Sequence, residues 1–307
     1  MPESIAFFKN EFVPLSQAKI GVMTHCFHYG TAIFEGIRGN WNDKKRQLYL
    51  FRLKEHYQRL YKGCQMLKIE LPYTVDDMCR ITVDVVKKCG FQEDIYVRPV
   101  AYKSSEALGV RLHNLENDFL VFAFPWGPYL DMDKARCGVS SWRCAREVPR
   151  AKITGLYITN AMAKTEAIEN GFDEGIMLSQ DGYVSEGTGE NIFLVANGKL
   201  VTPCSYDDIL MGITRDTVIK LAKNELGLET EERHIPRNEL YNAEECFLTG
   251  TAANITPVGE IDRRKIGTGE IGVVTGKLQK IFFDVIRGNN PKYLDWCTPV
   301  YQPSLKK

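Results

Sequence analysis

Lys152 sits in the stretch Pro149-Arg-Ala-Lys152-Ile-Thr-Gly-Leu-Tyr157, with Gly155 close behind it and a phenol, Tyr157, five positions on. A lysine on the shoulder of a packed helix sheds part of its hydration, which favours the uncharged, nucleophilic amine that Schiff-base chemistry needs. Further along, Ser185-Glu186-Gly-Thr-Gly-Glu190-Asn191 sets a carboxylate into a glycine-rich break between two strand-like runs. An amine, a phenol and an isolated carboxylate are what pyridoxal phosphate requires of its protein. Position alone does not prove that they meet, and most lysines are solvated surface groups, so these residues by themselves leave both readings open.

A second set of residues suits anions. Asp94-Ile-Tyr96-Val-Arg98-Pro-Val-Ala101 alternates like a strand and puts Tyr96 and Arg98 on one face, a phenol beside a guanidinium that can read a carboxylate. Thr214, in Gly212-Ile-Thr-Arg215, reads as the N-cap of a helix running to about Gly227, whose first-turn amides would form an anion site. Cys246-Phe-Leu-Thr249 reads as a strand ending in Gly250-Thr251-Ala252-Ala253, small residues that let main-chain amides approach a ligand. Ordinary capping and turning would explain both equally well. Arg59 flanks the apolar stripe Leu53, Tyr57, Leu60, Cys64 and Leu67 of a helix over residues 53–68, where a solvated arginine is the commoner outcome. His25 and His28 lack a third ligand nearby and read as hydrogen-bonded structural residues.

The elements that must hold these groups alternate along the chain. Ile5–Phe8 and Glu11–Val13 flank Lys9-Asn10 as a hairpin, and Thr74 with Asp77 has the spacing of a capping box at the start of a second helix. Phe119–Phe124 is an apolar strand broken by Pro125-Trp126-Gly-Pro128-Tyr129, a stiff linker whose Trp126 and Tyr129 would face a cleft. Asp181-Gly182 and Asn197-Gly198 are turn signals among four short strands, and a helix over residues 275–287 closes the chain. There is no internal repeat.

At 307 residues the chain is long enough for two domains. Lysine plus arginine (39) balances aspartate plus glutamate (39), so no global field recruits nucleic acid or an anionic membrane, and small-molecule partners fit better. No apolar run reaches the ~18 residues of a spanning helix, and no N-terminal leader is apparent. Nine unevenly spaced cysteines, with no CxxC and no Cys/His cluster, argue for a reducing compartment, the cytoplasm, and against a disulfide framework or a metal site.

Seven collinear motifs resemble the fold-type IV pyridoxal-phosphate enzymes, and most of all the branched-chain amino acid aminotransferases of bacteria and archaea. They are His28-Tyr-Gly-Thr with Phe34-Glu-Gly-Ile-Arg38, Tyr96-Val-Arg98-Pro, Phe124-Pro-Trp-Gly, Lys152 to Tyr157, Ser185 to Asn191, Gly212 to Arg215, and Gly250 to Ala253. The resemblance runs from about Thr24 to about Phe283. It implies an α+β fold with a small N-terminal α/β domain (residues 1–124), a linker (125–136) and a larger cofactor-binding domain (137–307) with a mixed-sheet, barrel-like core. It makes Lys152 the catalytic lysine and the covalent anchor of pyridoxal phosphate, which alternates with pyridoxamine phosphate. Glu186 would hold the pyridine nitrogen and Tyr157 the ring hydroxyl. Arg59, the amides of Ile213 and Thr214, and Thr251 would hold the phosphate, with Leu210 beside them.

The same resemblance gives Tyr29, Phe34, Trp126, Tyr129 and Tyr157 as aromatic walls, and Arg98, assisted by Tyr29, as the receptor of a distal carboxylate. Tyr96 and the amides of Thr251 and Ala252 would take the α-carboxylate, and Gly36, Arg38 and Gly250 complete the pocket. Leu108 and Val110 would enter from a partner subunit, so the smallest assembly is a homodimer. The implied reaction is ping-pong transamination of L-leucine, L-isoleucine or L-valine with 2-oxoglutarate. The loop Arg111-Leu-His-Asn departs from the asparagine-proline of many bacterial members, which leaves the preferred side chain open. The rivals are a D-amino acid aminotransferase or aminodeoxychorismate lyase of the same fold, and a non-catalytic scaffold, which would be free to lose Lys152 or Glu186.

Overall fold

The computed structural model describes residues 4–127, 133–144 and 151–301. The chain divides into two units. The first comprises residues 1–127, 151–155 and 284–307, the second residues 128–150 and 156–283.

The first unit is built on an eight-stranded sheet. Strands β1 (Ile5–Phe8) and β2 (Glu11–Pro14) form the expected hairpin, because Lys9 and Asn10 both adopt positive φ, the geometry of a two-residue turn. They are followed by β3 (Ala32–Phe34), β4 (Ile37–Asn42), β5 (Gln47–Phe51), β6 (Ile95–Lys103) and β7 (Asn117–Pro125). The long pair β6 and β7 is the middle of the sheet, in register from Ile95↔Pro125 to Lys103↔Asn117. Helix α1 (His25–Tyr29) is a single turn ended by Gly30. Helix α2 (Leu53–Met66) buries Leu53, Tyr57, Leu60 and Cys64, the stripe read from its spacing. Helix α3 (Val75–Cys89) opens on the Thr74/Asp77 capping box, with each side chain bonded to the other's backbone amide.

In the second unit β8 (Ala135–Arg143), β9 (Glu174–Leu178), β10 (Val184–Gly187), β11 (Asn191–Ala196), β12 (Lys199–Pro203), β13 (Thr230–Arg233), β14 (Glu245–Gly250), β15 (Asn254–Ile261) and β16 (Arg264–Lys265) form a nine-stranded sheet. Six of them close a ring in the order β10-β9-β8-β15-β14-β11, because β10 also pairs with β11. The ring is mixed, with β8 parallel to both β9 and β15 and the other pairs antiparallel. Ile176, Val184, Ile192, Leu194, Leu248 and Ile261 belong to its apolar core. Helices α4 (Tyr157–Glu169), α5 (Ile213–Leu226) and α6 (Val273–Ile286) follow β8, β12 and β16 in the chain. The barrel-like mixed core is the α+β architecture expected from the sequence.

The expected division differs at two places. Residues 151–155 belong to the first unit because Phe34 N donates to Lys152 O at 3.0 Å, Gly155 N to Gly30 O at 3.2 Å, and Ile33 bridges Ile153. Residues 284–307 join it too, because β17 (Cys297–Pro299) adds an antiparallel edge to β5. Among the described residues no helix is long and apolar enough to cross a membrane.

Candidate active site

In the first unit, backbone pairing carries Lys152 to the end of β3. Its Nζ stands 4.9 Å from the centroid of the Phe34 ring, and the guanidinium of Arg98 lies 4.7 Å from the same ring. Arg98 Nη2 donates to the Tyr96 hydroxyl at 3.1 Å, so the two residues placed on one face of β6 by alternation do meet. Trp126 packs edge-on against Tyr96 with centroids 4.5 Å apart, and the backbone bond from Trp126 N to Asp94 O holds it there. Gly36, between β3 and β4, lies under the Tyr96 hydroxyl, which would be 1.9 Å from a Cβ at that position, so a side chain there would displace the phenol.

Arg38, cross-strand from Tyr96, is buried and donates through Nη2 to Gly127 O at 3.0 Å. Burial, opposed by Asp94, lowers its pKa, so an anion beside it would be stabilising. Among the described residues, Arg38 Nη1 and Arg98 Nε are buried without a hydrogen-bond partner. Two guanidiniums with orphaned donors beside an aromatic wall suit a carboxylate ligand.

Arg59 is fixed from behind. Its Nε and Nη2 donate to the two carboxylate oxygens of Glu35 at 2.6 and 2.7 Å, and His56 Nδ1 lies 2.8 Å from Glu35 Oε2. Glu35 is 1% exposed. Burial alone would raise its pKa, but Arg59 and His56 outweigh it and hold the carboxyl well below the usual range. Neither Glu35 nor His56 was expected from the sequence. The only signal was the place of Glu35 within the motif Phe34-Glu-Gly-Ile-Arg38, where it falls between β3 and β4.

Tyr29 accepts a hydrogen bond from Gly109 N at 2.9 Å, and His25 Nε2 lies 3.0 Å from Gly109 O. Tyr29 therefore anchors the loop carrying Leu108 and Val110, with its hydroxyl proton left to donate. Leu108 and Val110 are themselves exposed, Val110 at 90%. His25 and His28 are hydrogen-bonded, His28 Nε2 lying 2.8 Å from Val22 O. Tyr129 lies outside the described residues.

In the second unit, strand register assembles the other candidates. Glu186 on β10 pairs with Asn191 on β11, and Asn191 pairs with Thr249 on β14, so the three form a row across neighbouring strands. Gly250 ends β14, and Thr251 and Ala252 follow in the turn to β15. Glu186 Oε2 accepts from Leu210 N at 2.9 Å and from Asn191 Nδ2 at 3.1 Å, and Asn191 Nδ2 also donates to Leu210 O at 2.8 Å. The carboxylate is thus oriented by two donors, one of them an asparagine that spacing alone did not single out. Tyr157 opens α4, which is tied to the Glu186 loop by Asn160 Nδ2 donating to Thr188 O at 2.8 Å.

Helix α5 starts earlier than expected. Its N-cap is Gly212, not Thr214, and Ile213 and Thr214 occupy the first two helical positions. A Cβ on Gly212 would lie 2.0 Å from Asn191 Oδ1, so the cap must lack a side chain, and no capping hydroxyl marks it in the sequence. The correction strengthens the anion reading, since first-turn amides have no intrahelical acceptor.

The family model described as Amino-transferase class IV matches residues 32–261. The chain belongs to this family. This class IV aminotransferase is 49% identical over 300 residues to a probable branched-chain-amino-acid aminotransferase of Aquifex aeolicus, covering 96% of each chain. It superposes with a TM-score of 0.93 on the branched-chain aminotransferase of Thermoproteus uzoniensis solved with norvaline, at 40% identity over 97% of this chain and 100% of that one. Against the branched-chain amino acid aminotransferase of Thermobaculum terrenum in its PLP form, the TM-score is 0.92 at 37% identity, over 98% of this chain and 99% of that one.

The class IV aminotransferase also buries two carboxylates, Glu174 and Glu190, beside its Glu186 loop. Glu174 accepts from Lys164 Nζ and from Thr188 Oγ1, both at 2.5 Å, and Glu190 accepts from Gly189 N at 3.1 Å. Burial, reinforced by the Glu174 charge, pushes Glu190 up to about 8. The expectation of no Cys/His cluster also needs correcting. Cys204 and His234, thirty positions apart, lie with Sγ 3.8 Å from Nδ1, because each follows directly on one of the paired strands β12 and β13.

Proposed function

We propose that the chain is a pyridoxal-phosphate-dependent aminotransferase that exchanges amino groups between L-leucine, L-isoleucine or L-valine and 2-oxoglutarate. The observation that carries this is the full-length match to a chain named as a probable branched-chain-amino-acid aminotransferase. A D-amino acid aminotransferase, an aminodeoxychorismate lyase or a silent scaffold has no comparable support.

The residues fit the cofactor. Lys152 supplies an amine, Glu186 an oriented carboxylate for the ring nitrogen and Tyr157 a phenol for the ring hydroxyl. For the phosphate, the first unit offers the full charge of Arg59, and the second offers a helix N-terminus with the amides of Ile213 and Thr214, together with Thr251 and Leu210. The orphaned Thr249 Oγ1 lies in the same row as Glu186 and Asn191. When bound, pyridoxal phosphate holds the substrate amine covalently and draws the Cα electron pair into its ring.

The chain's own residues do the rest. Lys152 Nζ would take the proton from the substrate Cα and hold it for return when the amine is transferred. Glu186 keeps a proton on the ring nitrogen, with Asn191 and Leu210 holding its carboxylate in place. Phe34, Tyr96, Trp126 and Tyr29 would exclude water and receive the aliphatic side chain, a role proposed also for Tyr129 and Tyr157. Arg98 takes the distal carboxylate of glutamate. For the α-carboxylate the proposed groups are Tyr96 in the first unit and the amides of Thr251 and Ala252 in the second, with Gly36, Arg38 and Gly250 as the remaining substrate-binding residues.

Amino donor and oxo-acid acceptor use the site in turn. The assembly is a homodimer or a higher homo-oligomer, with the exposed Leu108 and Val110 lent to the neighbouring subunit, and its compartment is the cytoplasm. The test is a panel of half-reactions read from cofactor absorbance. L-leucine, L-isoleucine, L-valine and L-glutamate each convert the cofactor to its amine form. Conversion by D-alanine, or lyase turnover of aminodeoxychorismate, with none by L-leucine would overturn the reading.

A further inference from the structure

Strands β12 and β13 run parallel with Pro203 opposite Arg233, and Cys204 N donates to Arg233 O at 3.3 Å. The next residues of the two strands, Cys204 and His234, therefore stand side by side. The turn after Cys204 brings Asp207 back to them, with Asp207 N donating to Cys204 O at 3.1 Å and Cys204 N to Asp207 Oδ2 at 3.3 Å. One thiol, one carboxylate and one imidazole thus converge, with donor atoms all within 4.8 Å of one another. We propose that Cys204, Asp207 and His234 form a mononuclear site for a zinc-class divalent cation, with water in the fourth position.

The distances suit such an ion. Metal–ligand bonds of about 2.0–2.3 Å in a tetrahedron place donors about 3.3–3.8 Å apart. Sγ lies 3.8 Å from His234 Nδ1 and 3.4 Å from Asp207 Oδ2. The Nδ1 to Asp207 Oδ1 hydrogen bond, 2.6 Å, is what a cation would replace, by an opening of about 0.7 Å. Asp207 is 1% exposed and preset by its turn, whereas the His234 side chain is 53% exposed and leaves an open side for water. Tyr183 stacks on the imidazole with centroids 4.7 Å apart and limits its swing. Soft sulfur with imidazole selects against magnesium and calcium.

The site would also matter to the loop it closes. Residues 204–212 lead from β12 to the cap of α5 and include Leu210, whose amide orients Glu186. A cation would pin the start of that loop to the end of β13, and the loaded protein would unfold at higher temperature.

The test uses chelator-treated holoprotein titrated with Zn2+ by calorimetry, and with Co2+ followed by its long-wavelength d–d bands, which lie to the red of cofactor absorption. The expected result is one equivalent per chain, tetrahedral Co2+ intensity and a raised Tm. Cys204→Ser and His234→Gln should each weaken binding about tenfold or more and lose the Tm response. His234, half in solvent, is the variant least prone to misfold. Failure of the wild-type protein to bind one equivalent, or stoichiometric binding that survives both substitutions, would overturn the proposal and leave a hydrogen-bonded knot.

Discussion

Glu35 shows how a side chain with no ligand of its own can set the quality of a site. A bidentate carboxylate confines the Arg59 guanidinium to one plane, so little rotamer entropy remains to be lost when an anion arrives. Glu35→Gln should weaken cofactor binding about tenfold to a hundredfold in spectrophotometric titration of the apoprotein, and cost about 2–4 kcal/mol in urea unfolding, because a largely shielded guanidinium, 14% exposed, loses its counter-charge. Glu35 has a folded pKa below its unfolded one, so its contribution is complete above the ordinary carboxylate range and is lost as pH falls through and below it.

Glu190 behaves in the opposite sense. It keeps its proton up to about 8 in the native protein, against 4.5 when exposed, so the folded state binds more protons between those values. Stability from this group therefore falls as pH rises from about 4.5 to 8, by a few kcal/mol at most. Glu190→Gln should flatten that slope in urea unfolding measured at several pH values, and an unchanged slope would remove Glu190 from the account. The charge state of neither carboxylate was legible beforehand, although both stand in the quoted motifs. Glu35 and Arg59 are separated by a hairpin and half a helix, and Glu190 owes its state to burial beside Glu174, which no spacing records.

At the scale of elements, local chemistry was readable wherever a side chain did the work. The Thr74 capping box, the apolar stripe of α2 and the Tyr96/Arg98 face of β6 all appear where alternation and helical spacing put them. The start of α5 was misplaced because its cap is a glycine chosen for room rather than for a hydrogen bond. Gly212→Ala should therefore do more than perturb a cap. Its methyl would drive Asn191 out of contact with Glu186 and Leu210, costing about 1–3 kcal/mol of stability and lowering cofactor affinity in the same variant. Apoprotein titration together with thermal unfolding checks this, and loss of stability with cofactor affinity intact would show that Asn191 does not act through Glu186.

At the scale of the whole molecule, motif order was sufficient to reach the family, while the course of the chain through the two units was not. The return of residues 151–155 to β3 and of residues 297–299 to β5 rests on backbone pairing between distant segments, which leaves no mark in composition or periodicity. That pairing is also what carries Lys152, rather than any of the other lysines, to the Phe34 wall. The most direct measurement is reduction of the yellow holoprotein with borohydride, followed by peptide mapping of the permanently attached cofactor. The account predicts a single modified peptide with the label on Lys152. A label on another lysine, or a protein that takes up no pyridoxal phosphate, would contradict it.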